Sequence, residues 1–182
     1  MNFETKHLIR WGIPGWTFLG ALTIYFYIKE SVLNSAFSIS KIPAFMFTAI
    51  FVGVGIIIGH LIHQISMLLG FVIWNKWSDY FEKEFQFDQI IMKDEKGKEV
   101  QRIYSYRLGN VHALRSLNIS LIIALVTTVV LSITMYFSSK VLLLIVTLFL
   151  LVVITFINYL YFKKNLEYFI MKIESINNNN QP

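Results

Sequence analysis

Two charge-free apolar stretches, Leu117–Phe137 and Val141–Phe162, lie almost back to back with only Ser138-Ser139-Lys140 between them. Hydrocarbon about 30 Å thick, crossed at 1.5 Å per residue, takes roughly 20 apolar residues in a helix. Each stretch meets that length, so the chain is expected to cross a membrane more than once. Hydrophobic residues make up 55% of the sequence and charged residues 15%, whereas a soluble domain carries about 25% charged residues.

Two further spans precede this pair. Ile13–Ile28 is short; Lys29-Glu30 closes it, and Trp11 and Trp16 suit the headgroup boundary. Pro14 is expected to open this helix, since its missing N–H would be unpaired there in any case, leaving Met1–Arg10 as a separate interfacial helix. The next span opens at Pro43 and stays apolar to Trp74, too long for one upright crossing. It is therefore tilted, or it leaves the bilayer near Leu69.

Basic residues set orientation in such chains. Thirteen of the sixteen Lys and Arg fall in the N-terminus, the segment after span two and the C-terminus; only Lys29, Lys41 and Lys140 lie on the other side. The expected fold is an all-α membrane protein of four transmembrane helices, N-in and C-in, with a small cytoplasmic α+β insert between helices 2 and 3. Its parts are an N-terminal interfacial helix with spans one and two (1–74), the insert (75–116), spans three and four (117–162) and a cytoplasmic tail (163–182). Ser175–Pro182 is polar and low in complexity, which predicts disorder.

The insert carries the first candidate site. The stretch Phe87–Tyr106 reads as a hairpin turning at Asp94-Glu95-Lys96-Gly97. After Glu99 no acid occurs until Glu167, and Arg102, Tyr104, Tyr106, Arg107, His112 and Arg115 fall in that gap. Basic residues interleaved with aromatics suit a nucleotide or single-stranded nucleic acid, with charge for phosphate and rings for stacking. The same residues equally suit anchoring at an anionic inner leaflet.

Within the spans there is no Asp, Glu, Lys or Arg, which argues against an ion-coupled carrier. Gly55 and Gly59 form a small-xxx-small pair that admits a neighbouring helix closely. His60, His63 and Gln64, at i, i+3 and i+4, share a helix face that could line a water-filled path or bond adjacent helices. Two His without a carboxylate make a poor metal site. Ser120, Thr127 and Thr134 recur every seven residues; such hydroxyls bond their own backbone or, in an assembly, line a pore. No catalytic motif is present, so no enzymatic activity, metal or cofactor is expected. The absence of cysteine excludes disulfides and thiolate chemistry.

With four short spans, the RWGIPGW start of span one and GHLIHQI late in span two, the chain resembles the small four-helix membrane effectors of bacterial anti-phage systems. Hailong-type effectors come first, and the Kiwa membrane subunit second. The resemblance implies a multi-pass protein of the bacterial inner membrane that forms a homo-oligomer, a tetramer by preference. It further implies gating by a cytosolic nucleotide or single-stranded DNA signal, or through a cytosolic defence partner, with loss of membrane potential on opening. The residue-level alternative is a non-conducting sensor or scaffold that recruits a cytosolic protein.

Overall fold

A computed structural model describes residues 3–33, 43–73, 82, 84–89, 91 and 97–179. Its elements are α1 (Phe3–Leu33), α2 (Ala44–Met67) continued by a π-helical turn (Leu68–Ile73), α3 (Gly97–Thr134) and α4 (Ser139–Asn179). The described residues contain no strand.

Among the described residues, three segments are long and apolar enough to cross a membrane: Ala44–Gly70, Gly97–Thr134 and Ser139–Ser175. The expected fourth, in α1, falls short. That helix has 31 residues, but Trp, Tyr, Thr, Gly and Pro14 dilute its apolar content.

The expected α+β insert is also corrected. From Gly97 onward its second strand is the first part of α3, and residues 84–89 are helical. Val100, Tyr104, Leu108 and Val111 recur every three or four residues, a helical period that the shorter stretch VQRIYSY could not distinguish from alternation. The expected turn residues Asp94, Glu95 and Lys96 lie outside the described residues.

Pro14 does not start a helix. α1 runs through it, although the proline ring removes the N–H that would bond the Arg10 carbonyl. Residues 3–10 therefore belong to α1 rather than to a separate interfacial helix. At the other end α4 continues to Asn179, past the expected disorder at Ser175. Neither Gly nor Pro interrupts the sequence from Val141 to Gln181, so nothing there breaks the helix.

The chain divides into two compact units, Met1–Ile65 with Ser116–Thr155 and Ser66–Arg115 with Phe156–Pro182. In the first, Ala21, Leu121, Ala124 and Leu148 form the core, with Phe18, Leu117, Leu125, Leu144 and Val152 around it. α1 and α2 cross backbone to backbone. A methyl on Gly15 would overlap the Gly55 carbonyl oxygen, and one on Gly59 would overlap the Trp11 carbonyl oxygen. Trp16 seals this crossing from the side, donating from Nε1 to the Val52 carbonyl at 3.3 Å.

α3 bonds all three neighbours within this unit. Ser116 Oγ is hydrogen-bonded to His63 Nδ1 of α2 at 2.7 Å. Asn118 Nδ2 donates to the Val152 carbonyl and Thr155 Oγ1 of α4 at 2.9 and 2.8 Å. Ser120 Oγ donates to the Pro14 carbonyl of α1 at 2.5 Å. Beyond these, the buried Tyr25 of α1 places its hydroxyl 2.8 Å from the Leu131 carbonyl and 3.2 Å from that of Tyr136. It thereby ties α1 to the last turn of α3 and the link to α4, adding to the Met135 and Tyr136 N–H groups that the Leu131 carbonyl also accepts.

In the second unit, the first half of α3 packs on the second half of α4. Arg107 Nη1 donates to Asn165 Oδ1 at 2.6 Å and to the Asn165 carbonyl at 3.2 Å, and its guanidinium lies 4.6 Å from the centre of the Phe169 ring. The rings of Phe87 and Tyr104 meet at a 48° tilt, centroids 4.8 Å apart.

Candidate functional site

The six basic and aromatic candidates all lie on α3, and helix geometry divides them. At about 100° per residue, Arg102 and Tyr106 come within about 40° of each other, while Tyr104, Arg107, His112 and Arg115 point elsewhere. Arg102 and Tyr106 are exposed, Tyr106 at 71%. Arg102 pairs with Glu99 at 2.5 Å across one helical turn; an ion pair this exposed contributes little and yields readily to a competing anion.

The other four are used in packing. Tyr104 packs its ring against that of Phe87, and Arg107 joins α3 to α4 through Asn165 and Phe169. Arg115 Nε donates to the buried Ser66 Oγ at 3.1 Å, and Nη2 lies 3.0 Å from Met67 Sδ. The same Nη2 is 3.1 Å from His112 Nδ1; because a guanidinium only donates, that ring nitrogen accepts. A methyl on Gly70 would run into this guanidinium, so the bare backbone of the π-helical turn is what lets Arg115 dock. Turns of this kind recur at functional sites because they place one extra residue in a helical ladder.

The candidates in the apolar segments also separate. Gly55 and Gly59 face α1 at the close crossing. His63 bonds Ser116. His60 sets its ring edge-on to Trp11, centroids 4.8 Å apart, and its buried Nδ1 has no hydrogen-bond partner among the described residues. Gln64, one turn on from His60 and about 40° round the helix, is exposed. The two imidazoles therefore contact neighbouring helices, whereas the amide beside them on the same face is exposed. Among the described residues no group of three or more His, Cys, Asp or Glu is placed to hold a metal.

Of the hydroxyl stripe, Ser120 is spent on the Pro14 carbonyl, and Thr134 bonds the Val130 carbonyl of its own helix. Thr127 is partly buried.

Ser66, Ser116, Asn118 and Asn165 carry the polar contacts yet escape the motif reading. Asn118 could have been flagged as an amide inside an apolar run, where it needs an interhelical partner. Ser66, Ser116 and Asn165 offer no such signal, because their roles appear only once the helices are side by side. No protein-family model, curated protein or solved structure matches this chain.

Proposed function

We propose that this protein is an oligomeric, channel-like membrane effector whose state is set from the cytosol by a nucleotide or short oligonucleotide, and whose opening dissipates the membrane potential. The defence role follows the resemblance to four-helix anti-phage effectors. One observation carries the reading: α3 is a single helix from Gly97 to Thr134. The exposed Arg102–Tyr106 face and the hydroxyl- and amide-bonded apolar half thus lie on one continuous helix. A ligand that favours one orientation of that helix shifts the equilibrium between shut and open states by its differential affinity for the two.

Four spans with both termini cytoplasmic remain the topology of this proposal, at the bacterial inner membrane. α1 supports it by running beside α3, with Pro14 level with Ser120 and Tyr25 level with Leu131. A helix that accompanies an apolar helix over that depth shares its surroundings. The thirteen-to-three division of basic residues supports the orientation.

The experiment is ion flux from liposomes containing the purified protein, with and without short nucleotides and single-stranded DNA. Arg102→Glu combined with Tyr106→Ala changes only exposed groups, and should reduce ligand-dependent flux at least tenfold while leaving assembly intact. An unchanged ligand response would sink the proposed site. A protein that conducts under no condition, and never depolarises cells, would sink the channel. A second reading, a non-conducting scaffold, draws on Phe85 and Tyr106, exposed at 58 and 71%; these aromatic rings suit a protein partner. On that reading Phe85→Ser abolishes co-purification of the partner.

A further inference from the structure

α4 presents a seam that is exposed along its length among the described residues. Ile154, Ile157, Tyr161, Lys164, Tyr168 and Met171 follow one another at alternating spacings of three and four and are all exposed. In the first half of this series, lipid could cover the apolar side chains. Tyr168 and Met171, each 57% exposed, lie beyond Lys163-Lys164, past the end of the apolar run. Lipid tails do not reach there. An occupant of the whole seam must therefore cross the membrane at this point and continue into the cytosol alongside α4.

We infer that the occupant is α4 of a second copy of this chain, packed in parallel; the inference rests on the homo-oligomeric reading above. Spacing of three and four is the seam of a parallel coiled coil, with Ile154, Tyr161 and Tyr168 at a and Ile157, Lys164 and Met171 at d. That register places Glu167 at g and Lys172 at e of the following heptad. These are the two positions that face each other across a parallel pair, so opposite charges meet twice across the symmetry axis. Among the described residues Glu167 pairs with Lys163, at 3.9 Å and solvent-exposed, a weak hold. Lys164 at d fits as well: its stem packs along the seam while the ammonium reaches water, and one charged core position helps to set register.

The absence of cysteine makes the test direct. Tyr161→Cys, Met171→Cys and Phe156→Cys are oxidised separately in native membranes. Phe156 is 47% exposed but lies off the seam, so it reports random collision. The seam positions are expected to give covalent dimer several-fold above Phe156→Cys. In the Met171→Cys background, Glu167→Lys should lower the yield several-fold, and adding Lys172→Glu should restore it. If Phe156→Cys cross-links as well as the seam positions, or the double swap fails to restore the yield, the seam is wrong. Subunit counting by photobleaching in lipid separates the two failures. An oligomer without seam cross-links removes this interface alone, whereas a monomer removes the oligomeric reading with it.

Discussion

Replacing Gly59 with alanine should be among the most damaging small changes available to this protein. The added methyl would overlap the Trp11 carbonyl oxygen and stand 2.8 Å from the Trp11 carbonyl carbon and 2.9 Å from the Gly15 nitrogen. All of these are backbone atoms, so no rotamer change relieves the clash, and α1 must move off α2. Between apolar helices in lipid, close van der Waals contact is a principal attraction. A gap of 0.5–1 Å forfeits about a quarter to a half of it. Overpacking of this kind costs about 1–3 kcal/mol. Gly53 provides the control, because a methyl there meets nothing within 4 Å. In mid-helix that substitution should stabilise by about 0.5–1 kcal/mol. The two alanine variants should therefore differ by roughly 1.5–4 kcal/mol, a factor of at least about 10 in the unfolding constant. Equilibrium unfolding in mixed detergent micelles, followed by loss of helical signal, measures the difference. Gly59→Ala falling within about 0.5 kcal/mol of Gly53→Ala would refute the close crossing.

Tyr25→Phe removes the hydroxyl that meets the Leu131 and Tyr136 carbonyls. It should cost about 1–2 kcal/mol and speed amide exchange at Met135 and Tyr136; unchanged exchange would count against the tie. A double-mutant cycle of Asn118→Leu and Thr155→Val should return a coupling of about 0.6–1.7 kcal/mol, and additive losses would mean that the 2.8 Å contact contributes nothing. For topology, Lys140→Cys should react with a membrane-impermeant maleimide in intact cells and Lys98→Cys only after permeabilisation. The reverse pattern would invert the proposed orientation.

The apolar runs at 117–137 and 141–162 were legible from hydropathy, since no other environment suits such uninterrupted stretches. Gly55 and Gly59 were legible as a close-approach pair, but their counterpart Gly15 was not. It stands beside Pro14, where a helix start was the simpler reading, and only the crossing with α2 gives it a purpose. The hairpin expectation failed because the helical period in 97–111 emerges only over three turns. The basic–aromatic series was visible as composition, but its division was not. Arg107 and Arg115 became packing residues because Asn165, Phe169, Ser66 and Met67 come to them from distant sequence, and no local pattern announces such partners.

Ser116, Asn118 and Ser120 span two residues at a time along α3, yet they hold α2, α4 and α1 respectively. Twisting α3 about its own axis therefore strains three attachments together. Side-chain tips about 5 Å from a helix axis sweep roughly 2.5 Å in a turn of about 30°, enough to carry each contact beyond hydrogen-bonding range. Smaller twists stretch all three bonds and are pulled back, while a larger one releases them almost simultaneously. A torsional catch of this kind resists small twists and gives way at a threshold rather than by degrees.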